Sequence, residues 1–221
     1  MSSRRPQPAA TTARSRRDPA PERRFPLVPV LGGVAALVLV LTIVFTYGSG
    51  AGELEVGDPT VAGAELPVFP GVGADDPALG LPVPEIAGAD WNDTPTAITD
   101  DGRAKMIVVL AHWCPFCQEE VPVVQEWIDG GGLPEGVDVY TIASDVRQAA
   151  ENYPPSDWLE GEGWEPPVIL DDEAGSARTS LGLSAYPFWV FVAADGTVAG
   201  RHSGVLDAAS LDLLAATLVQ R

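Results

Sequence analysis

The chain has 221 residues, a formal net charge of −18 and two cysteines. That length holds one ordinary domain plus appendages, and two cysteines rule out a scaffold stapled by many disulfides. The charge is bipolar: residues 1–24 carry seven arginines against Asp18 and Glu22, a net +5, which leaves −23 for residues 25–221. So acidic a body repels nucleic-acid phosphates, and no nucleic-acid partner is expected.

Residues 1–24 set their arginines among Pro, Ser, Ala and Thr without apolar periodicity, the composition of a disordered tail. From Leu27 to Tyr47 no charge occurs, and Val34–Phe45 is almost wholly aliphatic. About 21 residues at ~1.5 Å each reach about 30 Å, the thickness of a bilayer core, so 25–47 is predicted to be a transmembrane anchor. A cleaved signal peptide is the competing reading; the basic region is long for one, and no clear Ala-x-Ala site follows Tyr47. No Lys or Arg lies between Arg24 and Arg103, which predicts a cytoplasmic N-terminus and an extracytoplasmic remainder. Residues 48–84 hold eight Gly and six Pro. They are expected to form a tether, since they cannot bury enough apolar area to offset their ordering entropy, though short pieces such as 66–69 could rest on the domain.

The folded domain is placed at 85–221. Glu85–Ala89 and Thr96–Thr99 have the look of an extra hairpin. Lys105–Ala111 is a continuous apolar run rich in β-branched residues, the pattern of a central strand buried on both faces. From Cys117 onward Val121, Val124 and Ile128 recur at helical spacing until Gly130-Gly131-Gly132. Val137–Ala143 reads as a second strand, completing a right-handed β-α-β unit. Pro167–Leu170 is a short extended piece, and a short helix is expected around Ser176–Leu181. Asp195-Gly196 between the apolar runs Phe188–Val192 and Val198–His202 signals a hairpin. A closing helix opens at Leu206-Asp207 with Leu211, Leu214 and Leu218 on one face. The predicted fold class is therefore an α/β sandwich with a mixed central sheet flanked by helices.

Both cysteines lie in Cys114-Pro115-Phe116-Cys117, at the junction of the central strand and its helix. A thiolate, not a thiol, attacks a disulfide. With Pro115 at the first helical position, Cys114 becomes the N-cap, where the helix end favours an anion by about 0.3–1 kcal/mol. Cys117, inside the first turn, suits the resolving role. A purely structural disulfide would close too small a loop to stabilise much. Zinc needs four ligands, or three plus water; the chain offers Cys114, Cys117, His112 and His202, so a copper-binding or metallochaperone site built on Cys114, Cys117 and His112 is the alternative reading.

Ala111-His112-Trp113-Cys114-Pro115-Phe116-Cys117, extended to Glu120-x-Pro122, resembles the active site of TlpA/ResA-like membrane-anchored thiol–disulfide oxidoreductases of the thioredoxin fold. So does Gly182-Leu183-Ser184-Ala185-Tyr186-Pro187-Phe188. The resemblance implies a thioredoxin-like sandwich, catalysis by Cys114 and Cys117 without a cofactor or metal, and a cis Tyr186–Pro187 bond whose backbone pairs with substrate. It also implies a substrate-facing surface of Trp113, Pro115, Phe116, Tyr186 and Pro187, and Glu120 as acceptor of the Cys117 proton. Glu120 has a second reading, as a helix N-terminal acid complementing the dipole. Thioredoxins themselves carry a buried aspartate where Val108 stands. Expected partners are exported protein thiols and disulfides and a membrane or extracytoplasmic redox partner, with the bilayer contacted through 27–47. Trp91, Trp158, Trp164 and Trp189 read as packing residues and His202 as a strand end. Glu160–Glu165 and Asp171-Asp172-Glu173 read as solvated acidic faces.

Overall fold

A computed structural model describes residues 54–220; the predicted basic tail, the predicted anchor and the first residues of the predicted tether lie outside them. In chain order the described elements begin with β1 (Thr60–Ala62), β2 (Glu85–Ala89), β3 (Pro95–Ile98), β4 (Ala104–Leu110), α1 (Pro115–Asp129) and β5 (Val137–Ala143). There follow α2 (Pro155–Gly161), β6 (Val168–Leu170), α3 (Ser176–Ser180), β7 (Phe188–Val192), β8 (Val198–Ser203) and α4 (Ala208–Val219). Among the described residues no helix is long and apolar enough to cross a membrane.

The apolar run of β4 is buried at every position and takes the centre of a five-stranded sheet ordered β6-β5-β4-β7-β8. β4, β5 and β6 run parallel, as β-α-β connections require, while β7 and β8 are antiparallel. Because strand side chains alternate in direction, β4 feeds two cores. Met106, Val108 and Leu110 face α1 and α4, packing with Val121, Val124, Leu211 and Ala215. Ile107 and Val109 face the other way, into Ile86, Ile98, Ile142, Ile169, Phe188 and Val190. Asp207 opens α4 by accepting the Ser210 N–H at 2.8 Å, which satisfies one free donor of the first turn.

Residues 54–84 depart from the predicted tether. β1 pairs antiparallel with β2, which pairs with β3, as a separate three-stranded sheet. Leu66, Phe69 and Ala78 are buried in the second core. The physical reason is intermittent burial: the Pro and Gly residues preclude long elements but let single apolar side chains reach the domain one at a time. A buried ion pair fastens this arm, with Arg201 donating to both carboxylate oxygens of Asp76 and, through Nη1, to the carbonyls of Pro67 (2.7 Å) and Leu181 (3.0 Å). The guanidinium holds Asp76 below the usual carboxylate range. Gly182 adopts a left-handed φ of 73°, and a Cβ there would collide with the Pro67 carbonyl and the Arg201 guanidinium.

Asp171, expected on a solvated acidic face, is fully buried. Its carboxylate accepts Ser144 Oγ (2.6 Å) and the backbone N–H groups of Ala177 (2.8 Å) and Arg178 (3.2 Å) at the start of α3. A carboxylate enters a core only when its lone pairs are met in this way.

Candidate active site

β4 delivers the chain to the sheet edge, where Cys114 N–H bonds back to the Ala111 carbonyl at 2.9 Å and turns it into α1. Cys114 is the N-cap in extended conformation (φ −79°, ψ 118°) with Pro115 behind it, and its side chain makes no capping hydrogen bond. The residue is 5% exposed, and its Sγ lies 3.8 Å from the Tyr186 carbonyl oxygen. Cys117, one turn along, is fully buried, and the Ala111 N–H points at its Sγ at 3.5 Å. Burial pushes the Cys117 thiol up, and the Cys114 sulfur and the Glu120 carboxylate reinforce this. Both thiols are buried, Cys114 at 5% and Cys117 at 0% exposure, but they differ in position: Cys114 caps the helix N-terminus and Cys117 lies one turn inside it.

The Tyr186–Pro187 bond is cis, and Pro187 is buried while Tyr186 is partly exposed. The Tyr186 hydroxyl accepts from Arg178 at 3.3 Å, and its ring meets Trp113 edge-on at 5.9 Å between centroids. Trp113 donates Nε1–H to the Asp145 carbonyl at 2.7 Å, and the Arg147 guanidinium lies 3.5 Å over its ring. Phe116 is 59% exposed and Pro115 is exposed beside it. Trp113, Pro115, Phe116, Tyr186 and Pro187 thus lie on the segments that flank Cys114.

Glu120 projects inward from α1 and is completely buried. It accepts Trp189 Nε1–H at 2.7 Å and the Leu206 backbone N–H at 2.9 Å. Burial raises its pKa to about 7, with the two hydrogen bonds opposing. The first turn of α1 holds no acidic side chain, and Glu120 lies beyond it, out of the range over which the helix dipole favours an anion. Its electrostatic reach is to Cys117. Trp189, read from sequence as a packing residue, is the indole that fixes this carboxylate. The two stand 69 residues apart, so no local pattern could pair them; the one available signal was an indole in a strand that needs a buried acceptor.

His112 is buried at 1% exposure, and both its ring nitrogens are bonded to the loop after β5. Nε2 accepts the Arg147 backbone N–H at 3.0 Å, so Nδ1 carries the proton it donates to the Glu151 carbonyl at 2.8 Å. No ring lone pair is left for a metal, which removes the third ligand from the copper reading. Among the described residues no group of three or more His, Cys, Asp or Glu side chains is arranged to hold one.

A dithiol at the junction of β4 and α1, with a cis-proline loop across from it, is the arrangement of a thiol–disulfide oxidoreductase on a thioredoxin-like fold. Among curated proteins the chain is similar to the thiol:disulfide interchange protein DsbE of Pseudomonas fluorescens biotype C, 29% identical over 146 residues, 65% of this chain and 72% of that one. It is also similar to the protein of the same name from Pasteurella multocida, 26% identical over 110 residues, 50% of this chain and 56% of that one. The second match therefore spans just over half of its relative's length. No protein-family model matches. Of solved structures, a DsbF homologue from Corynebacterium diphtheriae is similar with a TM-score of 0.56 at 19% identity, covering 71% of this chain and 100% of that one. A thioredoxin-family thiol:disulfide interchange protein from Chlorobium tepidum gives 0.53 at 19%, covering 66% and 99%. At such identities the structural likeness establishes the thioredoxin-like fold.

Proposed function

We propose that the chain is a membrane-anchored, extracytoplasmic protein-disulfide oxidoreductase working mainly as a reductase. The observation that carries the reading is the placement of the two sulfurs: both are buried, but Cys114 stands at the N-cap of α1 with its Sγ 3.8 Å from the Tyr186 carbonyl of the cis-proline loop, while Cys117 lies one turn further into the core. Cys114, as thiolate, attacks one sulfur of an exported protein's disulfide; a mixed disulfide forms and the other substrate sulfur leaves as a thiolate that takes up a proton. Cys117 then gives its proton to Glu120 and attacks Cys114. The mixed disulfide breaks, the second substrate thiol is released, and the Cys114–Cys117 disulfide holds the two electrons' worth of oxidation. Trp113, Pro115, Phe116 and the Tyr186–Pro187 backbone seat the substrate. A membrane or extracytoplasmic redox partner must return two electrons.

The direction is set by the Cys114–Cys117 reduction potential, each 30 mV of which is worth about 1.4 kcal/mol for this two-electron couple. Anchoring is supported by the uncharged stretch 27–47 and the one-sided distribution of arginine around it.

In the full-length chain, Cys117→Ser should accumulate a mixed disulfide with a disulfide-containing polypeptide, held through Cys114 and released by dithiothreitol. Mass spectrometry of the trapped peptide checks it. Capture through position 117 in Cys114→Ser instead, or no capture at all, would defeat the reading. The Cys114–Cys117 potential, measured against a glutathione buffer, reports the direction, and a value well above about −200 mV would reverse it.

A further inference from the structure

We infer that His112 is a positioning residue for substrate: its two ring nitrogens hold the loop 145–152, and with it Trp113 and Arg147, as one wall of the groove that seats an extended polypeptide beside Cys114. The inference rests on the oxidoreductase reading above and adds to it a residue that touches neither sulfur.

After β5 the chain bonds once more to the sheet, Ser144 N–H to the Leu110 carbonyl at 2.9 Å, and no regular element follows until α2. Within this stretch Asp145 and Asn152 both sit at left-handed φ, 52° and 58°, conformations a non-glycine residue keeps only when its surroundings hold it there. His112 supplies much of that hold. Its ring ties Arg147 N–H at one side and the Glu151 carbonyl at the other, and its own carbonyl accepts from Gln118 at 2.9 Å and Asn152 at 3.5 Å. The Tyr153 ring packs against it at 6.0 Å. Nε2 can accept only in the neutral imidazole, and burial lowers the pKa of His112 in keeping with that form.

The loop so held does two things for the neighbouring indole. Asp145 presents the carbonyl that Trp113 donates to, and Arg147, ion-paired to Asp145 at 2.7 Å, lies flat on the ring. Trp113 in turn meets Tyr186 edge-on, the residue whose carbonyl faces Cys114 Sγ. One line of contacts therefore runs from a buried imidazole through a loop to the peptide rim of the site. Loss of the imidazole bonds loosens the wall and leaves the thiols where they are, so the effect falls on seating and not on thiol exchange.

The test compares two disulfide substrates on the full-length chain: insulin, which must seat a polypeptide and is turned over with dithiothreitol as the recycling reductant, and 5,5′-dithiobis(2-nitrobenzoate), a small disulfide that needs no groove and is reacted in a single turnover with the reduced chain. His112→Phe keeps a buried ring and drops both bonds. It should raise KM for insulin about tenfold with kcat within about twofold, and leave the rate with the small disulfide unchanged. Arg147→Ala, at a half-exposed side chain that cannot unfold the domain, should raise the same KM. The Trp113 indole N–H resonance, identified through Trp113→Phe, should shift in His112→Phe. Equal losses on both substrates, an unchanged insulin KM in both variants, or an unmoved indole resonance would overturn the inference. Failure of the oxidoreductase reading shows differently, as an unmutated chain that does not reduce insulin.

Discussion

Cys114→Ser should lower disulfide turnover by about 10⁴-fold or more and leave the fold intact. The thiolate is the attacking species, and a serine hydroxyl neither ionises at neutral pH nor forms a stable bond to sulfur. A 10⁴-fold loss corresponds to about 5.5 kcal/mol of barrier. Stability is expected to hold because serine is among the favoured N-cap residues, and position 114 caps α1 with no side-chain capping hydrogen bond to lose. Single-turnover reaction of the reduced chain with a disulfide, followed by stopped flow, separates the two sulfurs: Cys114→Ser loses the first step, whereas Cys117→Ser keeps it and stalls as the mixed disulfide. A Cys114→Ser chain retaining more than about 1% of the first-step rate would show that the Cys114 sulfur is not the nucleophile.

Glu120→Gln should change the pH dependence of both stability and the second step. Burial raises the Glu120 pKa from its ordinary 4.5 to about 7. Between those values the folded chain binds more protons than the unfolded chain, so stability falls as pH rises through that window and is lowest above about 7. At 1.36 kcal/mol per unit the total fall is about 3 kcal/mol. Glutamine removes the fall. It also presents an NH₂ where a carboxylate oxygen accepted, leaving Trp189 Nε1–H or the Leu206 N–H unmet, which costs about 1–3 kcal/mol. The variant is thus less stable near pH 5, and its deficit shrinks or reverses by pH 8; urea titrations at both pH values read the crossing. If Glu120 takes the Cys117 proton, resolution of the mixed disulfide rises through about pH 7 in the native chain and is about 10²–10⁴-fold slower in the variant, the usual range for general base catalysis. A resolution step that keeps its rise near pH 7 in Glu120→Gln would remove Glu120 from the proton path and leave it a purely structural acid.

The elements around the dithiol were legible because each has a local cause. An unbroken β-branched run makes β4, helical spacing makes α1, and Asp195-Gly196 turns β7 into β8. The opposed placement of Cys114 and Tyr186-Pro187 was accessible only through resemblance, since nothing local joins residues 72 apart. What escaped was decided by distant partners. β1 is three residues long and exists because β2 offers it an edge. Asp171 stands among acidic neighbours, and its burial depends on the distant Ser144 hydroxyl and the N–H groups of α3. His112 offered itself as a ligand by its proximity to the cysteines; its ring turned instead toward a loop that the chain reaches 35 residues later.

The arm built from residues 54–84 has a bearing on where the protein can be cut. A fragment starting at residue 85 would strip Leu66, Phe69 and Ala78 from the second core and leave the Arg201 guanidinium in an apolar setting without Asp76, the costly case of a buried cation with no counterion. The smallest autonomous unit therefore begins upstream of Leu66, and a protease working from the N-terminus should stall no later than Glu55, whose carboxylate accepts the Ser156 N–H and hydroxyl, rather than trim the Gly- and Pro-rich segment away.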